Sequence, residues 1–330
     1  MKKFIIVLLV VLLVAVAVWL TQCQEEKPAE QATTEHATTE LVPAEQKPAE
    51  LTPREKTLAR LKNATYMGIQ EKDPVTLTDG IWVGEPSQAG GSSRPSVYYV
   101  RDFLLEGDID GNGTDEAAVL LAASSGGTGV NIYLAAVRIT DDKLENLDTV
   151  VVGDRVQIRK AGFGAEHIFL ELVQAGPDDA MSNPGELNMV GWNLVNDKLV
   201  PLQVTTKPRR LSLETISEFA WALTWWSLDE PAPAEPGITL SLKDGNLGGS
   251  SGCNSYFMEA KTGAAPGDLS MGPSGGTMKA CPEDVMAVEK RYLAQMTGVK
   301  RYGFLAGMLA LSYEVDGTRG VMLFERQKIE

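Results

Sequence analysis

The sequence predicts a mainly β fold, β-rich α+β in class, with two small antiparallel β domains. Three observations carry this. Short runs of β-branched, aromatic and aliphatic residues recur from residue 98 onward, and Gly, Asp and Asn clusters separate them. One long stretch, 285–296, repeats its apolar residues at helical spacing instead. Residues 24–56 hold almost no large apolar side chains and can add little to any core.

The chain opens with Met1-Lys2-Lys3, a short positive segment, followed by an uncharged apolar run from Phe4 to Leu20. The run is short of the roughly 20 residues a bilayer span requires. A charged start and a compact apolar stretch are the features of an export signal. It ends in Leu20-Thr21-Gln22-Cys23. That resembles a lipobox, the bacterial motif in which the cysteine becomes the lipidated N-terminus after cleavage. Gln22 departs from the small residue usual before the cysteine. The alternatives are an uncleaved signal anchor with Cys23 incidental, and plain cleavage to a soluble protein. All three place the folded part in the bacterial cell envelope, facing the periplasm.

Residues 1–22 are therefore read as signal or anchor, and 23–56 as a disordered tether. The tether repeats ATTE twice and KPAE twice. Such a chain buries too little surface to offset its ordering entropy. Its typical span is on the order of 30 Å. His36 lies within it and is read as solvated. A short amphipathic helix is expected near Pro53 to Lys62.

Of 330 residues, 44 are Asp or Glu and 30 are Lys or Arg, giving a net charge of −14. This excludes nucleic-acid binding built on phosphate neutralisation, and docking on anionic lipid by charge. The expected membrane link is the N-terminal lipid or signal anchor, and the expected partner is an envelope protein. There are three cysteines. With Cys23 assigned to lipid, Cys253 and Cys281 remain as an even pair in an oxidising compartment, which predicts one disulfide. The competing reading is a reactive thiol, because Cys281 directly precedes a helix start, where a cysteine pKa falls. The export signal favours the bond.

The first domain is placed at 57–205. Ala117–Ala122 and Asn131–Val137 are continuous apolar runs, 149–158 and 167–172 alternate, and Asp141-Asp142-Lys143 and Asn196-Asp197-Lys198 read as hairpin turns. Ser124–Gly129 lacks the lysine of a phosphate-binding loop and reads as a hairpin connection.

The sharpest motif here is Glu106-Gly107-Asp108-Ile109-Asp110-Gly111-Asn112-Gly113-Thr114-Asp115-Glu116. Asp108, Asp110 and Asn112 occupy loop positions one, three and five. Thr114 can offer its carbonyl at position seven and Glu116 a carboxylate at position nine. Alternating oxygen donors on a glycine-relaxed loop suit a hard cation such as Ca²⁺. The loop is not an EF-hand, since Val119 stands where the bidentate Glu belongs. It resembles the calcium loops that precede strands in propeller and integrin-type repeats, but one copy does not make a propeller. An acidic turn without metal is the other reading, and both stay open.

No catalytic residue is singled out. His167 is the one histidine expected in a folded domain, with no nucleophile-elbow sequence to accompany it. Zinc would need more His or free Cys.

The second domain is placed at 212–328. It begins with Leu223-Thr224-Trp225-Trp226-Ser227-Leu228. Gly252-Cys253-Asn254-Ser255-Tyr256, Thr277-Met278-Lys279-Ala280-Cys281-Pro282 and Glu289 follow, and it closes on Met322-Leu323-Phe324. Pro282-Glu283-Asp284 is a suitable first turn of a helix. Val285, Val288, Tyr292, Leu293 and Met296 supply its core-facing stripe, and Gly298 ends it. One ring of Trp225-Trp226 is expected in the core.

The order and spacing of these segments resemble the META domain, also called the HslJ-like domain of heat-shock lipoproteins. The resemblance covers about a third of the chain. It implies a compact antiparallel β structure with one helix, usually in an envelope lipoprotein, and brings no catalytic residues. It links the chain to heat shock, stress and novobiocin tolerance. The expected function is that of a tethered, non-enzymatic envelope lipoprotein with a binding or support role. The alternatives are a periplasmic carboxylate-dependent hydrolase, and an inhibitor or adaptor that binds a partner protein. A deep pocket of convergent acids favours the hydrolase, and a shallow apolar groove favours the binder.

Overall fold

A computed structural model describes residues 50–327, except 71–73, 87–90, 142 and 165–166. The export signal, Cys23, His36 and the tether before residue 50 lie outside the described residues. Leu51–Glu330 forms one compact unit.

Helix α1 (Pro53–Leu61) opens it. The helix takes four residues from the segment expected to be tether, and its cap explains why. The Thr52 side chain accepts from the Glu55 backbone while Glu55 reaches back to the Thr52 N–H at 2.7 Å, and Pro53 sits at the first position. A small hairpin follows, β1 (Thr65–Tyr66) with β2 (Val75–Thr76).

Next come β3 (Ile81–Val83), β4 (Ser96–Tyr99), β5 (Leu105–Gly107), β6 (Glu116–Ser124), β7 (Asn131–Ile139) and β8 (Leu144–Asp154). They form one six-stranded antiparallel sheet in the order β3-β4-β6-β7-β8, with β5 also paired to β6. A second sheet contains β9 (Gln157–Gly164), β10 (His167–Gln174), β11 (Glu186–Val195), β12 (Lys198–Pro201) and β13 (Arg209–Arg210).

The continuous apolar runs of β6 and β7 now have a cause: both faces are buried. Ala117, Val119, Leu121, Tyr133, Ala135 and Val137 pack against Leu58 and Leu61 of α1 and against Tyr66, Val75 and Leu77. The alternate set Ala118, Leu120, Ile132, Leu134 and Ala136 packs against Ile158, Ile168, Leu170, Leu172, Trp192 and Leu194 of the second sheet. The first sheet is thus the middle of three layers.

The two expected turns close hairpins, β7–β8 and β11–β12. Asn196 and Asp197 both take the left-handed conformation (φ 50° and 62°), which matches the strand twist of a two-residue hairpin. The alternating run 149–158 is two strands rather than one. The chain breaks at Arg155 (φ 53°), whose N–H donates to the Val130 carbonyl at 2.8 Å.

The C-terminal part contains α2 (Glu214–Ser217), β14 (Trp221–Trp225), β15 (Thr239–Lys243), β16 (Asn246–Ser250), β17 (Ser255–Thr262), β18 (Leu269–Gly276), α3 (Glu283–Thr297), β19 (Val299–Leu305), β20 (Met308–Val315) and β21 (Thr318–Arg326). Its eight strands run β18-β17-β16-β15-β14-β21-β20-β19. The sheet nearly closes into a barrel, because Asp268 bridges to Arg301 and the Tyr302 N–H donates to the Gly267 carbonyl at 2.8 Å. Its own core holds Trp221, Leu240, Leu247, Met258, Leu309, Leu311, Met322 and Phe324, with Tyr292 and Met296 from α3.

The two β systems meet at a polar junction. Arg159 is fully buried: it donates to Glu171 through Nη1, and to the Thr215 carbonyl (2.7 Å) and Glu218 (2.8 Å) through Nη2. Its guanidinium lies 5.6 Å from the ring centres of both Phe219 and Phe304. Gln157 accepts from the Phe304 N–H at 2.9 Å. Arg101 donates to the Leu228 carbonyl and covers the Trp225 ring at 4.3 Å.

Candidate functional site

Two places gather the residues singled out in the sequence. The first is the turn between β16 and β17 and the start of α3. Gly252 has φ 110°, a conformation that disfavours any side chain, and it delivers Cys253 to the rim of the sheet. Cys253 is bonded to Cys281, with their Cα atoms 6.0 Å apart, so the expected disulfide is present. It ties the β16–β17 turn to the residue before Pro282, the N-cap of α3.

One turn and a half into α3, Glu289 points back at the same turn and is 7% exposed. Its Oε2 accepts from Ser251 Oγ (2.5 Å) and the Asn254 backbone N–H (2.8 Å), and its Oε1 accepts from Asn254 Nδ2 (2.9 Å). Asn254 Oδ1 in turn accepts from Thr277 Oγ1 (2.8 Å) and the Lys279 N–H (2.7 Å). Desolvation alone would raise the Glu289 pKa. The bonds from Ser251, from Asn254 and from the Cys253 N–H outweigh it, so the carboxyl stays below the ordinary range.

Deeper in, the Tyr256 and Tyr292 hydroxyls share a hydrogen bond at 2.5 Å, and burial pushes both phenols well up. Cys253, Asn254, Tyr256, Thr277, Cys281 and Glu289 of the motif are therefore all engaged internally. A shallow open depression of about 450 Å³ lies alongside, lined by Gly275, Thr277, Met278, Lys279, Met286 and Leu293 among others.

The helix stripe holds in part: Val285 is half-buried and stays outside the core cluster. Tyr292 and Met296 are buried and Val288 and Leu293 pack partly against the core, but Glu289 and Gln295 share the buried face. The signal for Glu289 in the sequence was position: 289, 292 and 296 fall on one helical face. Of the tryptophan pair, Trp226 is buried and Trp225 is half-buried beneath Arg101.

The second place is the loop joining β5 to β6. The ladder pairs Gly107 with Glu116, so Asp108 and Glu116 flank the mouth of a hairpin. One carboxylate oxygen from each of Asp108, Asp110 and Glu116 lies within 4.8 Å of the others. Backbone donors shape the loop: Asn112 N–H to Asp110 Oδ1 (3.0 Å), Gly113 N–H to Asp108 Oδ2 (2.9 Å) and Ile109 N–H to Glu116 Oε2 (3.2 Å). Asn112 Oδ1 accepts from Thr114 N–H (2.8 Å) and from its hydroxyl. Of the five expected cation ligands, the structure thus gathers three carboxylates, while Asn112 and Thr114 bond each other. Desolvation, with Asp110 and Asp108 nearby, raises the Glu116 pKa despite the Ile109 N–H and Arg138.

The C-terminal part is a nearly closed antiparallel sheet carrying one long helix, locked at a Gly-Cys-Asn turn. Residues 214–328 match the META domain family model. Among solved structures, an NMR structure of a protein from Burkholderia xenovorans is similar at 25% identity, over 39% of this chain and 97% of that one, with a TM-score of 0.28. No curated protein matches.

Proposed function

We propose that this chain is a membrane-tethered, non-enzymatic lipoprotein of the bacterial envelope, with a binding or support role in stress or antibiotic tolerance. The observation that carries the reading is the state of Glu289. It is the one acid lining the depression beside the motif, and both its oxygens are committed to Ser251 and Asn254. A carboxylate held ionised by fixed donors is a structural brace, poorly suited to proton transfer near neutral pH. The Cys253–Cys281 bond points the same way. It removes the thiol nucleophile, and a disulfide of this kind belongs to an oxidising compartment such as the periplasm. The META domain supports an envelope-associated role, and the link to heat shock and novobiocin rests on that family.

The test is fractionation with labelled fatty acid, in cells carrying the native chain or Cys23→Ser, combined with challenge by heat and novobiocin in a deletion strain. The reading expects label and membrane attachment for the native chain alone, and rescue of the deletion strain only by that form. Label on Cys23→Ser, or indifference of the deletion strain to both stresses, defeats it.

A further inference from the structure

We propose that Asp108, Asp110 and Glu116 form a Ca²⁺ site at the mouth of the β5–β6 hairpin. Three neighbouring acids are common on protein surfaces and prove nothing alone. What sets this cluster apart is Glu116. Its side chain is 0% exposed, it begins the central strand of the three-layer part, and its Oε1 accepts no hydrogen bond. Asp108 Oδ1 is also buried without a donor. Both residues belong to the cluster in which one carboxylate oxygen from each acid lies within 4.8 Å of the others.

The nearest cation offers little relief. Arg138 Nε stands 3.9 Å from Glu116 Oε1, while its Nη2 is spent on Asp197 at 2.6 Å. Burying a carboxylate oxygen that has neither a donor nor a close counter-ion is expensive, and three carboxylates together add repulsion. A divalent ion among them supplies both the charge and the coordination that the protein leaves out.

The chemistry of the donors narrows the ion. All are oxygens, so a hard cation is favoured over zinc or copper. Residues 111–115 of the loop are exposed and hold two glycines, so loop carbonyls and solvent waters can complete the site at uneven distances. That suits Ca²⁺ better than the strict octahedron of Mg²⁺. Ile109, 1% exposed, anchors the loop in the core between the two sheets. The ion would therefore fasten the β5–β6 hairpin to the layered core and leave Arg138 to serve Asp197 on the β11–β12 turn.

The experiment follows the melting of the full chain in detergent after chelation, with millimolar CaCl₂ or MgCl₂ added back, for the native protein and for Asp110→Asn. Asparagine keeps the oxygen that accepts from the Asn112 N–H and removes one charge. Under the proposal, CaCl₂ raises the native melting point by about 5 °C at saturation, MgCl₂ does much less, and Asp110→Asn loses the response. In chelator the order reverses: Asp110→Asn melts at or above the native protein, because a like charge has gone. Calorimetric titration with CaCl₂ should show one ion per chain, and Asp108→Asn provides a second variant. A native melting point indifferent to CaCl₂, no heat of binding, or an equal CaCl₂ response in the variants overturns the proposal.

Discussion

Asn254 gives Glu289 both its backbone N–H and its side-chain amide, at 2.8 and 2.9 Å. The pair joins the β16–β17 turn to α3 across 35 residues of sequence. The disulfide makes the same connection covalently, just before the N-cap of the helix.

Glu289→Ala leaves the Asn254 backbone N–H buried without an acceptor, while the Ser251 hydroxyl keeps the Asn254 carbonyl and the Asn254 amide keeps the Lys279 carbonyl, and should cost about 2–3 kcal/mol in urea unfolding. Glu289→Gln should cost less at neutral pH, and its larger effect is on acid stability. The folded carboxyl sits below its ordinary value of 4.5, so the unfolded chain binds the proton more readily. Its contribution is complete above about pH 4.5 and fades as pH falls through the lower folded value. Stability plotted against pH should be flatter on the acid side for Glu289→Gln than for the native protein.

Arg159 should be the most sensitive point of the junction. Arg159→Ala removes a fully buried cation from Glu171 and Glu218, and should cost about 3 kcal/mol, with Lys160 and Arg209 limiting the loss. Unfolding followed by tryptophan fluorescence and by far-ultraviolet circular dichroism should then separate into two transitions. Replacing Arg159 by Met together with Glu171 by Leu should restore a single transition.

These two networks show where the sequence is legible and where it is not. The runs 117–122 and 131–137 announce strands, and the stripe at 288, 292 and 296 announces α3, because apolar burial leaves a run or a period. Arg159 and Glu171 leave none. They stand at alternate positions of half-buried strands and read as a solvent face, yet the C-terminal domain covers them. Glu289 was visible as a motif residue, but its partners Ser251 and Asn254 are brought to it only by the folded sheet. The alternating run 149–158 is divided at Arg155, whose left-handed backbone no propensity signals. The Asp108–Glu116 spacing was visible, whereas the solvent exclusion of Glu116 needed the three layers.

Asp179 should titrate far below the ordinary value of an aspartate. Arg210 grips it with both terminal nitrogens (2.9 and 2.8 Å), and the Gly176 and Gly185 N–H groups donate at 2.9 and 3.0 Å. Together they lower its pKa to about 2. The clip on the 176–185 loop therefore holds as pH falls past 3.8, and is lost only as pH passes through about 2. Carboxyl NMR titration should place the midpoint there, and Arg210→Met should return it toward 3.8; an ordinary midpoint in the native protein contradicts the clip.

Reducing agent should lower the stability of the C-terminal domain by about 3–4 kcal/mol, the chain-entropy value for closing 28 residues. Cys281→Ala should show the same loss and no further response to reductant.

The most direct test is intact and peptide mass spectrometry of the protein recovered, without reduction, from bacterial membranes. An N-terminus at Cys23 carrying acyl chains, together with Cys253 and Cys281 linked in one non-reduced pair, is the predicted result. An unprocessed or unacylated N-terminus with free thiols at both positions would contradict the envelope lipoprotein and reopen the enzymatic reading.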